Sequence, residues 1–167
     1  MQITLQQVLF IIFGVITLGA ALMVVVRRNV FHAALFLVLA FFGVAGLYVL
    51  LEAPFLAAVQ LFIYIGGIAI LIIFAIMLTR EMMNPLLPRA NRQWWAAALA
   101  ALVLCGMLGW VALNHDWGVT SESVSSDSIA NLGRALVDPA GFVLPFEVAS
   151  VLLLVALIGA VTIARER

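Results

Sequence analysis

The chain has 167 residues, of which 66% are apolar and only 10% charged, and its formal net charge is zero. A soluble domain of this length needs far more polar surface, and no basic patch points to nucleic acid, so the composition is that of an integral membrane protein. The single cysteine, Cys105, lies in an apolar stretch; it offers neither a disulfide framework nor a metal–thiolate cluster and reads as a small buried hydrophobe.

Five apolar segments follow one another, at Ile3–Val26, Phe31–Leu51, Phe55–Leu78, Trp94–Leu113 and Phe142–Ala164. Each suits a helix crossing a hydrocarbon core about 30 Å thick. The expected fold is therefore all-α: one polytopic membrane domain spanning residues 1–167, with five transmembrane helices. The first segment lacks a basic leader, and its apolar run exceeds the roughly 7–15 residues of a signal-peptide core, so it is expected to be a retained anchor. The breaks between spans carry stop signals, "RRN" at 27–29, "EAP" at 52–54 and "TREMMNPLLPRANRQ" at 79–93.

All eight basic residues are arginines. Arg27 and Arg28 follow span one, Arg80, Arg89 and Arg92 follow span three, and Arg165 and Arg167 follow span five, all on one side of a five-span protein. Glu52, Asp116, Glu122, Asp127 and Asp138 collect on the other side, with only Arg134. The positive-inside rule then places the N-terminus outside and the C-terminus in the cytoplasm. Trp94, Trp95, Trp110 and Trp117 bracket span four as an aromatic belt would.

Small residues recur inside the spans, among them Gly14, Gly19, Gly43, Gly46, Gly106 and Gly109. In lipid, such residues are what lets helices approach closely, so they imply packing within the chain and against other membrane subunits. The outer loop, 114–138, is Ser-rich at "TSESVSSDS" and then spaces Ile129, Leu132 and Leu136 as one helical face behind Asp127 or Ser128 as N-cap. A short amphipathic helix on the outer surface is expected there. No internal repeat supports an inverted-repeat transporter.

Ionisable groups at mid-membrane are expensive and usually functional. None occurs here: His32 starts span two, Glu52 lies in the short outer turn, and Glu147 stands a few residues into span five in "LPFEVAS". Glu147 is a carboxylate for either a proton path or a structural contact. No nucleophile–base pair, phosphate-binding glycine loop, metal-ligand cluster or flavin or nicotinamide fingerprint is present, so no catalytic residue, cofactor or metal is assigned to this chain.

The remaining anomaly is span three, "VQLFIYIGGIAILIIFAIML" at 59–78, with Gly66 and Gly67 at its centre and Tyr64 beside them. On α-helical spacing, Gln60, Tyr64, Gly67 and Leu71 share one face, and polar groups on it should turn toward other helices or water. Two glycines lower the cost of an irregular turn, and π-bulges recur at functional sites. A tight Gly-lined packing contact with Tyr64 as a satisfied core hydroxyl is the alternative.

That stretch resembles the third-helix signature of NADH-quinone oxidoreductase subunit J, the counterpart of complex I chain 6, approximately V-Q-x-x-x-Y-x-G-A-I-x-x-L-x-x-F-x-x-M-L. Val59, Gln60, Tyr64, Gly66, Ile68, Leu71, Phe74, Met77 and Leu78 fit it, and Gly67 stands where Ala is usual. The blocks "RNVFHAALFLVLAFFGVAGLYVLLEAPFLAAVQ" (28–60) and "IANLGRALVDPAGFVLPFEVASVLLLVALIGAVTIARER" (129–167) are similar to the family's second helix and C-terminal part. The resemblance implies a membrane-arm subunit of a proton-translocating NADH:quinone oxidoreductase in a bacterial inner membrane. Flavin, iron–sulfur clusters and quinone would be held by other subunits, and its partners would be the K-type, H-type, A-type and antiporter-like N-type subunits together with membrane lipids. The gating positions it implies are Tyr64, Gly66 and Gly67, with Gln60 and Phe74 nearby. Alternatives of the same lineage are a purely structural or assembly subunit, or the homologous subunit of a ferredoxin- or coenzyme F(420)-dependent complex, a membrane hydrogenase or a cation antiporter.

Overall fold

The computed structural model describes residues 4–79, 93–118 and 127–165. The expectations placed on Arg80, Arg89, Arg92, Arg167, Glu122 and the Ser-rich run up to residue 126 lie outside the described residues. Every regular element described is helical. In chain order they are α1 (Leu5–Val26), α2 (Val30–Leu50), α3 (Pro54–Val59), a π-helical segment (Gln60–Ala69), α4 (Ile70–Leu78), α5 (Trp94–Asn114), α6 (Ser128–Val137) and α7 (Val143–Ala164). The segment from Pro54 to Leu78 is one continuous rod of 25 residues; with α1, α2, α5 and α7 it makes five helices, among the described residues, long and apolar enough to cross a membrane. The expected spans hold to within a residue or two.

The chain divides into two compact units, Met1–Thr120 and Ser121–Arg167. In the first, α1 and α2 form an antiparallel hairpin. At its turn the Asn29 side chain caps α2, its Oδ1 accepting from the Phe31 and His32 amides at 2.9 and 3.4 Å, which satisfies two of the amides a helix start leaves unpaired. At the opposite end the Gln6 side-chain amide donates to the Leu50 carbonyl at 3.3 Å, tying the start of α1 to the end of α2.

What holds this hairpin together is small residues. Among the described residues, the seven buried hydrophobic ones are six alanines, Ala20, Ala34, Ala40 and Ala45 in the hairpin and Ala57 and Ala69 in the third span, and one large residue, Ile76 of α4. Apolar side chains gain little by leaving lipid for protein, so close backbone approach supplies the contact energy instead. Gly43 and Gly46 show how close that approach is. A Cβ on Gly43 would run into Thr17, its hydroxyl and its backbone alike, and one on Gly46 would enter the ring of Phe13. The Thr17 hydroxyl is satisfied locally, donating to the Phe13 carbonyl at 2.8 Å.

Helix α2 ends in a Schellman motif. Glu52 N–H donates to the Val49 carbonyl at 3.1 Å and Ala53 N–H to the Tyr48 carbonyl at 3.0 Å, with Glu52 in the left-handed region at φ 56°. Glycine is the usual residue at that position. Pro54 then opens α3 as its first residue, where a missing amide hydrogen is harmless.

No described residue of α5 is buried. Cys105, read from the sequence as a small buried hydrophobe, is exposed on it, because α5 buries no face within its own chain. Trp95 and Trp110 are exposed on the same helix, and Trp117 is exposed just beyond it.

In the second unit the amphipathic helix expected in the outer loop is present as α6, with Asp127 in the N-cap position and its carbonyl accepting from Asn131 N–H at 2.9 Å. The corner into α7 is tight: Asp138 Oδ1 accepts from Ala140 N–H at 3.0 Å, and Phe142 N–H donates to the Ala135 carbonyl at 2.9 Å. A Cβ on Gly141 would sit 2.7 Å from the Ala135 carbonyl oxygen, so this corner admits no side chain there. No residue of α7 is buried.

Candidate functional site: the wide turn of the third span

The site begins from the sequence's weak point. Ten residues, Gln60–Ala69, wind with the wider i→i+5 hydrogen bonding of a π-helix. Most π-helical features are single-turn bulges, so ten residues is long. The segment is entered and left without backbone strain: Val59, Gln60, Ala69 and Ile70 all keep right-handed helical dihedrals. Gly66 and Gly67 sit in its second half. Neither is there to make room: the nearest atom to a Cβ on Gly66 is the Leu61 carbonyl oxygen at 3.5 Å, and a Cβ on Gly67 meets nothing within 4 Å. Their role is in the backbone, because glycine's greater conformational freedom makes regular α winding less favourable.

The wide turn changes which residues face inward. Before it, Ala57 and Gln60 are buried, three apart. Within it the positions at least partly withdrawn from the surface are Gln60, half-buried Ile65 and Gly67, and then Ala69, so the two fully buried positions stand nine residues apart. After it, Ala69, Ile72 or Ile73, and Ile76 return to seven residues over two turns. The α-helical spacing that groups Gln60, Tyr64, Gly67 and Leu71 on one face therefore fails here. Gln60 is 6% exposed, Tyr64 is 41% and Leu71 is 69%. The extra residue per turn rotates the later positions away from the first.

Tyr64 packs edge-on against Phe41 of α2, with ring centroids 5.6 Å apart and an interplanar angle of 75°. Such a pair is worth about 0.5–1.5 kcal/mol beyond area burial. Among the described residues no hydrogen bond involves its hydroxyl, so within this chain Tyr64 is not the satisfied core phenol of the bland alternative. Among the described residues Gln60 is the one buried polar residue, 6% exposed. Phe74, on α4 beyond the wide turn, is exposed.

Glu147 is the fifth residue of α7 and exposed, in the other unit. It makes no hydrogen bond or ion pair with a described residue. Two contributors escaped sequence reading. Phe41 had no signal, since it lies in an apolar run and acquires meaning only by packing against Tyr64. Ala69, the most buried of the described core hydrophobics at 1% exposed, ends the wide turn; its small size at a helix-contact position was the available hint. No group of three or more His, Cys, Asp or Glu side chains among the described residues is arranged to hold a metal.

Comparison with known proteins bears on this geometry. The chain is 39% identical over 166 residues to NAD(P)H-quinone oxidoreductase chain 6 of Leptolyngbya boryana, covering 96% of this chain and 80% of that protein. It is 36% identical over 165 residues to the F(420)H(2) dehydrogenase subunit J of Methanosarcina mazei, covering 96% and 92%. With chain 6 of a Synechocystis species it is 33% identical, covering 96% and 81%. These relatives are subunits of quinone-reducing or F(420)H(2)-oxidising complexes, as their names state. Residues 20–163, which include the whole wide turn, match the family profile, and the chain belongs to the NADH-ubiquinone/plastoquinone oxidoreductase chain 6 family.

Proposed function

We propose that this chain is the membrane-arm subunit of a proton-translocating NADH:quinone oxidoreductase in which the third span acts as a conformational gate on a water path. The observation that carries the reading is the ten-residue π-helical segment with a half-exposed Tyr64. The segment can rewind without breaking the span. Exchanging i→i+5 for i→i+4 bonds removes residues from each turn, so everything C-terminal to it must rotate about the helix axis. Phe74 and Ile76, now outside and inside, would change places. Tyr64 would swing relative to Phe41.

The family resemblance supplies the context. Redox groups and the acids of a proton wire would belong to neighbours of the K-, H-, A- and N-types, with the N-terminus outside. The chain itself contributes a wall and a movable constriction, because it carries no mid-span acid, and apolar constrictions gate by wetting and drying. Glu147 is read as a contact or proton-path carboxylate facing such a neighbour.

Two states differing by a few kcal/mol are enough for a switch. Gly67→Val places a β-branched residue where the backbone is most permissive and biases the segment toward one winding. In an assembled complex it is expected to leave electron transfer to quinone in place and to lower the protons moved per electron severalfold. Native stoichiometry in the assembled variant overturns the gate. A purely structural subunit would instead give variants that either assemble and pump normally or do not assemble. Co-purification with a peripheral arm that oxidises NADH, rather than F(420)H(2), ferredoxin or hydrogen, separates the NADH enzyme from the F(420)-dependent and hydrogenase relatives.

A further inference from the structure

A groove of about 560 Å³ opens at the turn between α1 and α2, lined by Met23, Val26, Arg27, Arg28, Asn29 and His32. Three of its six residues are cations or a titratable imidazole, and all three are exposed. No side chain of the three makes a hydrogen bond or ion pair with another described residue. Arg27 is held in place by the ring of Phe36, its guanidinium carbon 5.3 Å from the ring centroid. That contact occupies a flat face of the guanidinium and leaves the N–H edge available, since cation–π stacking and in-plane hydrogen bonding use different directions. The Asn29 side-chain oxygen is already committed to capping α2, so the acceptors in the groove are few and the donors many.

The depth of the groove defines its ligand. It lies where a 22-residue apolar helix ends and a 21-residue one begins, at the edge of the hydrocarbon core. Its lining joins two guanidinium forks, shaped for phosphate oxygens, to an apolar wall of Met23 and Val26. A free anion has no use for that wall, and a zwitterionic headgroup brings its own cation up against two arginines. An anionic glycerophospholipid satisfies both halves, with its phosphodiester on the arginines and the first carbons of an acyl chain along Val26 and Met23. We propose that this groove binds the headgroup of an anionic glycerophospholipid of the phosphatidylglycerol class, in the manner of basic pockets between membrane helices.

The test uses the assembled complex in phosphatidylcholine nanodiscs doped with phosphatidylglycerol that carries a diazirine high on one acyl chain. After irradiation, cross-links are expected on the Met23–Val26 stretch, competed by unlabelled phosphatidylglycerol and not by inorganic phosphate. Arg27→Gln with Arg28→Gln is expected to lower this labelling about 30-fold, from roughly 1 kcal/mol per arginine. Equal labelling by a phosphatidylcholine diazirine would mean ordinary boundary lipid and overturns the proposal. So does displacement by phosphate, unchanged labelling of the double variant, or no labelling because a neighbouring subunit fills the groove. If the double variant does not assemble, Arg28→Gln and the choice between the two probes on the native complex decide it.

Discussion

The α1–α2 hairpin and the third span use the same residue for opposite ends. In α2, Gly43 and Gly46 are present because Thr17 and Phe13 occupy the space a side chain would need. In the third span, Gly67 has open space around it, and what the glycine changes is the winding of its own backbone. One helix pair is regular and locked by close approach; the other element is irregular and free of steric lock. If the third span rewinds as proposed, the hairpin beside it supplies the fixed surface that a moving part needs.

That contrast breaks most visibly at Gly43. Gly43→Ala drives a methyl group into the Thr17 hydroxyl, with the Thr17 backbone nitrogen only 3.1 Å from it, so the helices must separate rather than a side chain turn aside. The expected loss is about 2–3 kcal/mol, in the range of overpacking in a close-packed interior. It should be read as a lowered melting temperature and yield of the assembled complex. Gly46→Ala meets the Phe13 ring, a side chain with somewhere to go, and should lose less. Equal and negligible effects at both sites would remove the idea that the hairpin is locked by close approach.

The second unit offers a control outside that comparison. Gly141→Ala brings a methyl group to 2.7 Å from the Ala135 carbonyl oxygen and 3.2 Å from the Asp138 Cβ. About 1–2 kcal/mol should be lost locally, seen as faster hydrogen exchange across 128–142 with the α1–α2 hairpin unchanged. Smaller and of opposite sign is Glu52→Gly. Glu52 holds a left-handed φ of 56°, which glycine adopts without penalty. Relief of that strain, less the greater freedom of glycine in the unfolded chain, should stabilise by about 0.5–1 kcal/mol. A melting shift of a few degrees upward tests it.

Sequence reading succeeded where the physics is local or compositional. Span positions follow from apolar length, and α6 follows from the spacing of Ile129, Leu132 and Leu136 behind Asp127. The softness at Gly66–Gly67 was also legible, as propensity. What the residues do not encode locally is how far the softness extends. Ten residues of wide winding depend on Gln60, Ile65 and Ala69 finding inward places, and a pattern counted at 3.6 residues per turn misassigns Leu71, which is 69% exposed. Phe41, 23 positions before Tyr64 in the chain, meets it only through the packing of α2 on the third span.

The finest test of the contrast is the mildest substitution. Gly67→Ala adds one methyl group into open space and restores the residue usual in the family signature, so no clash can explain its consequences. Alanine favours regular α winding over glycine by about 1 kcal/mol. On overall stability that should register as a few tenths of a kcal/mol at most, because both windings are helical and keep the backbone hydrogen-bonded. On the balance between windings the same 1 kcal/mol is about a fivefold change, since 1.4 kcal/mol is tenfold. A melting temperature close to native together with a measurable shift in proton-to-electron stoichiometry, or in hydrogen exchange confined to 60–69, would separate winding from packing. A substitution that moved the melting temperature and left both readouts untouched would return Gly67 to the same class as Gly43, and the third span would be one more locked helix.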